Sequence, residues 1–163
     1  MYIREFNDKH YTTNRIIYLD RDGVLNEKIE GGYVLEPSQI VVRQPSLLKM
    51  ALEVTPYVFV VSNQRCIQKG LLTIPKLDEI DDYLWEQIGA RPYAVIYATN
   101  ADCKPSTNMI YEAREMVGKK CAEMFFGDSE CDRECAESAG IPFIMISGDF
   151  WSDFQEGRFK SGV

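Results

Sequence analysis

The sequence has no long hydrophobic run, and no window approaches the roughly 20 apolar residues that a membrane-spanning helix needs. Its N-terminal residues are charged and polar, so the apolar segment of a secretory signal peptide is missing too. Internal repeats and low-complexity tracts are also absent. We therefore predict a cytoplasmic protein that does not span a membrane.

Positive charge is scarce in this chain. Lys and Arg number 18 against 25 Asp and Glu, which gives a net charge of -7. Nucleic-acid-binding surfaces carry a basic footprint, so we expect no nucleic-acid partner. An anionic ligand would need a locally positive site within this negative field.

Histidine and cysteine offer little material for a metal or disulfide framework. The sequence has one histidine, His10, and five cysteines, an odd number that argues against a disulfide framework. Cys131 and Cys135 have a spacing that could hold a metal. Extending that spacing to Ala139 gives one apolar stripe on a helix, so we predict small core residues instead.

Apolar runs alternate with helical patterns along the chain, which predicts βαβ units and an α/β fold with a mostly parallel sheet. With 163 residues and 45% hydrophobic content, residues 1–163 suit a single domain. We predict five strands, the last over residues 143–146, and helices on both faces. The helices are predicted to begin near Ser46, Thr73, Pro105 and Ser129.

The stretch Asp20-Arg21-Asp22-Gly23 is the most informative part of the chain. It directly follows an apolar run, residues 16–19, which is typical of a buried strand. Asp20 then lies at the carboxyl end of that strand, where open α/β sheets bind ligands. Two aspartates in this position suit a nucleophile with an acid/base beside it. The alternative is an ordinary Asp-Gly turn with solvated charges.

Three further polar groups each follow a strand-like run. They are the hydroxyl of Ser62, the amine of Lys104, and the carboxylates of Asp128 and Asp132. If the strands are parallel and neighbouring, these groups meet Asp20 at one edge of the sheet. A chance turn would not bring such matching partners with it.

Several carboxylates in one cleft would take up protons unless a cation neutralised them. An oxygen-only ligand set favours Mg²⁺. The sequence therefore predicts a magnesium site formed by Asp20, Asp22, Asp128 and Asp132.

These groups together resemble the four motifs of haloacid dehalogenase superfamily phosphatases: Asp-x-Asp, Ser/Thr, Lys and Gly-Asp-x-x-x-Asp. Within the superfamily, the chain is most similar to the group of D-glycero-D-manno-heptose 1,7-bisphosphate phosphatases and histidinol-phosphate phosphatases. The likeness covers about residues 15–147 and includes Gly32-Tyr33-Val34 and Asn63-Gln64.

The resemblance implies a Rossmann-like core with the Asp20 strand in the middle. It also implies that Asp20 is the nucleophile and Asp22 the acid/base. Asp20 and Asp128 would give side-chain oxygens to Mg²⁺, and Asp22 its backbone carbonyl. Asp132 would either bind the metal directly or support a residue that does.

Other residues are implied to contact the substrate. Ser62 would donate a hydrogen bond to a phosphoryl oxygen, and Lys104 would offset negative charge. Asn63, Arg21 and Arg65 are the predicted substrate-binding residues, although each arginine is also compatible with a simple surface charge.

Superfamily members often carry a cap domain, and the spacings here leave no room for one. Residues 27–45 allow only a short flap hairpin with Gly31-Gly32 at its turn, and six residues separate Tyr97 from Lys104. An uncapped cleft implies either a large substrate or a neighbouring subunit that covers the site. A homo-oligomer is therefore one of the two expected arrangements.

The departures from the heptose group concern the substrate. The zinc loop that precedes the lysine in that group is missing, and Cys103 stands where an arginine is common. We expect a Mg²⁺-dependent phosphomonoesterase acting on a small phosphorylated metabolite, such as heptose bisphosphate. Histidinol phosphate, a nucleic-acid end phosphate and a non-catalytic binding module remain as alternatives. The aromatic C-terminal segment from Gly148 is expected to pack on its own domain.

Overall fold

One sheet of six strands organises the molecule. In the computed structural model, which describes residues 1–146, the strands are β1 Tyr2–Glu5, β2 Arg15–Leu19, β3 Val58–Asn63, β4 Ala94–Ala98, β5 Ala122–Gly127 and β6 Phe143–Met145. Their order is β1-β4-β3-β2-β5-β6. Strands β2 to β6 pair in parallel, and β1 is antiparallel to β4. The predicted mostly parallel sheet, with the Asp20 strand at the middle of its parallel part, is confirmed.

The prediction of five strands is wrong by one, because the sequence carries little signal for β1. Its residues Tyr2-Ile3-Arg4-Glu5 alternate without a continuous apolar run, and none is fully buried. β1 lies at the edge of the sheet, where a strand has a neighbour on one side only.

Helices cover both faces of the sheet, as predicted. They are α1 Pro45–Val54, α2 Arg65–Gln68, α3 Ile74–Ile88, α4 Asn108–Val117 and α5 Glu130–Ala139, with a 3-10 helix at Pro37–Gln39. Helices α1 and α3 pack on the face that carries Ile17 and Leu19, whereas α4 and α5 pack on the face that carries Ile16 and Tyr18. The two cores follow from the period of two along β2.

Two of the predicted helix starts are confirmed. The Thr73 and Ser129 side chains each accept a hydrogen bond from the backbone N–H three residues further on. Ser46 is not a cap, because α1 already begins at Pro45. The fixed φ of proline suits the first turn of a helix, where its missing N–H costs nothing.

The predicted helix start at Pro105 is three residues too early. Helix α4 begins at Asn108. The Asn63 side chain accepts a hydrogen bond from the Lys104 N–H at 2.7 Å and donates one to the Lys104 carbonyl at 3.2 Å. These bonds hold the chain at Lys104 in a turn that precedes the helix.

The predicted apolar stripe on α5 is only partly correct. Cys135 is fully buried, whereas Ala139 is half-buried and Cys131 is exposed. Cys131 lies in the first turn of α5, at the carboxyl edge of the sheet, and lines the cleft that contains Asp20.

No cap domain interrupts residues 1–146. Between β2 and α1 the chain forms an irregular loop that contains the 3-10 helix, and Asn26 makes an isolated bridge to Val42. The expected flap hairpin is therefore wrong in detail: Gly31 turns the loop with a φ of 67°, but no paired strands flank that turn. Between β4 and α4 the chain is a short loop.

Within the described part of the chain, no helix is both long and apolar enough to cross a membrane. The aromatic segment that begins at Gly148 lies outside the described residues. Its packing, and the assignment of residues 1–163 to one domain, stay predictions.

Candidate active site

The carboxyl ends of four neighbouring parallel strands bring the predicted site residues together. Asp20 follows β2, Ser62 lies near the end of β3, Lys104 follows β4 and Asp128 follows β5. All four line an open cleft of about 250 Å³. The other predicted residues that line it are Asp22, Asn63, Arg65 and Asp132. The convergence expected from parallel strand order is therefore found.

Arg21 is the one predicted substrate contact that does not line the cleft. Its side chain is 0% exposed, and its guanidinium pairs with Asp22 and Asp81 at 3.0 Å each. It also lies 5.6 Å from the centre of the Tyr97 ring. A fully buried guanidinium held in this way does not reach a ligand in the cleft, so direct substrate contact by Arg21 disagrees with the structure.

Lys104 is a buried cation between two carboxylates. Its Nζ lies 3.3 Å from Oδ1 of Asp20 and 2.6 Å from Oδ1 of Asp132, and it donates to the Val61 carbonyl at 2.9 Å. Burial opposes the charge on Lys104, but the facing carboxylates outweigh burial and raise the pKa of the amine. Lys104 therefore supplies fixed positive charge next to Asp20.

Asp20, Asp128 and Asp132 form an acidic cluster whose carboxylate oxygens lie within 4.8 Å of one another. Burial, followed by the charge of Asp132, raises the pKa of Asp20 and also that of Asp128. Carboxylates this close take up protons unless they share a cation. Because every donor is an oxygen, the cluster fits a hard cation such as Mg²⁺.

The Asp132 carboxylate accepts several hydrogen bonds from the protein itself. Its Oδ2 accepts hydrogen bonds from the backbone N–H of Asp128 at 3.0 Å, and from the N–H and hydroxyl of Ser129 at 3.2 and 3.0 Å. Burial opposes its ionisation, but Lys104 and these hydrogen bonds lower the pKa of Asp132. Of its two predicted roles, the contacts favour support of the loop that carries Asp128.

Asp22 is held by three neighbouring side chains. Arg21 Nε donates to its Oδ1 at 3.1 Å and Asn26 donates to the same oxygen at 2.9 Å, while Gln64 donates to Oδ2 at 2.9 Å. Burial opposes ionisation, but Arg21 and the bonds from Asn26 and Gln64 lower the pKa of Asp22. These contacts fix the direction of the carboxylate and favour its ionised form.

The sequence did not predict a role for Gln64. Its Nε2 bonds Oγ of Ser62 at 3.0 Å as well as Asp22, so it links two predicted catalytic groups. Asn63, predicted to contact the substrate, uses its amide to position the Lys104 backbone. The motif Asn63-Gln64 marked these positions, but their partners depend on the packing of separate strands.

The rim of the cleft carries exposed positive charge. Lys28 and Tyr33 from the loop after β2, and Arg65 from α2, line it. Lys69 donates a hydrogen bond from Nζ to the Tyr33 hydroxyl at 2.6 Å. These cations lie at the mouth of the cleft, whereas Lys104 and the carboxylates lie inside it.

Gly23 allows the Asp22 loop to approach Asp128. Its φ is 91°, and a Cβ added there would lie 1.9 Å from Oδ2 of Asp128. We expect Gly23→Ala to lower the free energy of unfolding by about 3 kcal/mol or more, because left-handed strain of about 1–2 kcal/mol adds to overpacking. Displacement of Asp128 should also reduce metal binding. Urea denaturation monitored by circular dichroism measures the first effect.

Gly70 provides the matched control for that substitution. Its φ of 74° is similarly left-handed, but an added Cβ would meet nothing within 4 Å. Gly70→Ala should therefore cost only about 1–2 kcal/mol from backbone strain. Equal losses for the two variants would show that the approach of Gly23 to Asp128 has no energetic weight.

A larger groove, of about 1150 Å³, lies near the amino ends of β2 and β5. Its sheet-facing wall includes Ile17, Met124 and Phe126. It has none of the site residues predicted within the described chain. Within residues 1–146 its walls are mostly apolar, whereas the smaller cleft holds the convergent charged groups.

The chain is similar to known phosphatases, although no family model matches it. The chain is 25% identical over 156 residues to D-glycero-D-manno-heptose-1,7-bisphosphate 7-phosphatase of Chlorobaculum tepidum, covering 81% of this chain and 78% of the relative.

Two solved structures share the fold. One, from Mesorhizobium loti and described as HAD-like phosphatase, has a TM-score of 0.77 and 21% identity, covering 90% of this chain and 79% of that one. The other is D,D-heptose 1,7-bisphosphate phosphatase from B. bronchiseptica, complexed with magnesium and phosphate. It has a TM-score of 0.72 and 24% identity, and covers 93% of this chain and 90% of that one.

Proposed function

We propose that this chain is a haloacid dehalogenase-like phosphatase that hydrolyses a sugar phosphate through an aspartyl-phosphate intermediate. Its similarity in sequence to a heptose bisphosphate phosphatase and the fold that it shares with two phosphatase structures support the proposal. The observation that carries this proposal is the position of Asp20. Its carboxylate lies beside the buried Lys104 amine, at 3.3 Å, and in an acidic cluster suited to a cation.

Asp20 is the nucleophile in this proposal. Oδ1 accepts a hydrogen bond from the Arg21 backbone N–H at 2.7 Å and faces Lys104, so the carboxylate is fixed in direction. One of its oxygens attacks phosphorus, the ester P–O bond breaks, and the electron pair goes to the leaving oxygen. Lys104 and the Ser62 hydroxyl stabilise charge on the phosphoryl oxygens.

Asp22 is the acid/base. A phosphate dianion entering the cleft adds negative charge beside it and favours its protonation. Asp22 then gives that proton to the leaving oxygen, and afterwards accepts a proton from the water that attacks the aspartyl-phosphate. The second attack breaks the bond between Asp20 and phosphorus and restores the Asp20 carboxylate. Asp22 then carries the proton taken from water and returns it to solvent when phosphate leaves.

Mg²⁺ is the proposed cofactor. Side-chain oxygens of Asp20 and Asp128 and the backbone carbonyl of Asp22 would hold it, with Asp132 supporting the Asp128 loop. The ion would supply positive charge that offsets repulsion between the carboxylates and a substrate phosphate.

The basic rim favours a sugar phosphate over histidinol phosphate. Exposed Lys28 and Arg65 line the mouth of the cleft, where they would attract a second phosphate and repel the cationic amine of histidinol. The name of the relative from Chlorobaculum tepidum points to a heptose bisphosphate. The rim is therefore a specific reason to place sugars first.

We expect a preference for sugar phosphates that is loose among sugars. Cys103 stands at the position where the heptose group commonly has an arginine. Its side chain is buried and does not line the cleft, so this position supplies no charged contact to a substrate. Losing a buried charged contact typically costs about 2–5 kcal/mol of discrimination. Values of kcat/KM for heptose bisphosphate and hexose phosphates should therefore agree within about a hundredfold.

The same assay tests the rivals. Arg65→Gln should raise KM for a bisphosphate more than for a monophosphate. Arg91→Gln is the control, because Arg91 lies on the loop between α3 and β4 and does not line the cleft. A higher kcat/KM for histidinol phosphate or a phosphorylated oligonucleotide would overturn the sugar assignment. A protein that turns over no ester, aryl phosphate included, would be a non-catalytic binding module.

A further inference from the structure

A chain of buried polar groups runs from the cleft into helix α3. Arg21 links Asp22 to Asp81, with 3.0 Å to each carboxylate, and the Tyr97 hydroxyl donates to the other oxygen of Asp81. The Arg21 and Tyr97 side chains and Asp81 are all 0% exposed. Asp81 is 60 residues from Arg21 in sequence and does not line the cleft.

Burying these charges costs free energy, so packing alone does not explain why the protein keeps them. Removing a charged group from water costs several kcal/mol unless it is paired and hydrogen-bonded. In this chain each partner is satisfied: Arg21 Nε and Nη2 hold Asp22, and Nη1 holds Asp81. The guanidinium is thereby locked in one orientation.

That orientation controls Asp22. Arg21 contacts both oxygens of the Asp22 carboxylate, at 3.0 Å for Oδ1 and 3.3 Å for Oδ2. A guanidinium with no other partner could turn about its side-chain bonds and change the direction of the Asp22 carboxylate. Asp81 accepts a hydrogen bond from Nη1 at 3.0 Å and fixes the far side of the fork, so Nε and Nη2 stay directed at Asp22.

We propose that Asp81 is a positioning residue for the acid/base Asp22, acting through Arg21 and held by Tyr97. This inference rests on the proposed phosphatase function. Asp81 touches no substrate, and its effect is limited to steps that need a proton from Asp22. Burial raises the pKa of Asp81 to about 6, against the opposing effects of Arg21 and Tyr97, so Asp81 is charged at pH 8.

The test compares two esters that differ in their need for an acid. A sugar phosphate has a poor alkoxide leaving group and needs a proton, whereas 4-nitrophenyl phosphate has a good leaving group and needs little help. The ratio of kcat/KM for the two esters reports the ester-cleavage step alone, because kcat/KM excludes breakdown of the aspartyl-phosphate.

Asp81→Asn removes the charge while keeping an oxygen to accept from Arg21. At pH 8 with Mg²⁺, we expect kcat/KM for the sugar phosphate to fall about 10–100-fold, and that for 4-nitrophenyl phosphate to change less than about threefold. Equal losses for both esters, or no loss for either, would overturn the proposal. A wild-type protein that cleaves neither ester would instead refute the phosphatase function itself.

Asp78→Asn is a matched control on the same helix. Asp78 accepts a hydrogen bond from the Tyr2 hydroxyl at 2.7 Å and lies 3.6 Å from Arg4, so it repeats the Tyr–Asp–Arg arrangement away from the cleft. Both esters should react as with wild type. If thermal melting shows that Asp81→Asn does not fold, Tyr97→Phe is the second test, because it removes the hydrogen bond that holds Asp81. It should shift the ratio of kcat/KM for the two esters in the same direction, and an unchanged ratio would overturn the proposal.

Discussion

Asp20→Asn should reduce turnover of every phosphate ester by at least about a thousandfold, which corresponds to about 4 kcal/mol in the activation barrier. The amide has nearly the same shape as the carboxylate but is not a competent nucleophile. The effect is measured as kcat with a saturating sugar phosphate and with 4-nitrophenyl phosphate. Both should fall, because both need the same attack on phosphorus.

The substitution should leave the fold intact. Lys104 keeps its 2.6 Å partner Asp132, and the acidic cluster loses one of three crowded negative charges. Asp82→Asn, which changes an exposed carboxylate paired with Arg4, is the control and should retain full activity. Residual activity of Asp20→Asn within tenfold of wild type would remove Asp20 as the nucleophile.

Chelation of divalent cations should abolish activity, and added Mg²⁺ should restore it. Without a cation, the negative charges of Asp20, Asp128 and Asp132 repel a substrate phosphate and one another. The measurement is the initial rate in EDTA, followed by titration with MgCl₂. Full activity in EDTA would contradict a metal role for the cluster.

Metal binding should also stabilise the protein in the absence of substrate. A ligand at about 100 times its Kd contributes about 2.7 kcal/mol, which for a chain of this size corresponds to a Tm increase of about 5–10 °C. Asp128→Asn should need more Mg²⁺ for the same increase, because one proposed ligand is lost. A Tm that does not respond to Mg²⁺ in the wild-type protein would argue against the site independently of any assay.

The sequence predicted that the candidate site residues converge, for a simple geometric reason. Parallel strands end at one edge of a sheet, so side chains that directly follow such strands, like Asp20 and Asp128, must come close together. Local signals also predicted the starts of α3 and α5, because Thr73 and Ser129 cap through their own neighbours.

The errors arise where the decisive partner is remote in sequence. From the sequence, Arg21 is expected to contact a phosphate, but its side chain is buried and pairs with Asp81 on α3. Pro105 is a good first helix residue, but Asn63 on β3 fixes the preceding turn and delays α4. No pattern within a few residues of Arg21 or Pro105 encodes these distant contacts.

The open cleft also bears on how substrate preference could change. Within residues 1–146 no domain covers Asp20, so in the proposed reaction the described residues that select a substrate are those at the mouth of the cleft, such as Lys28 and Arg65. Both side chains are exposed and lie outside the acidic cluster. Substitutions at these two positions would therefore alter substrate preference while leaving the reaction centre untouched.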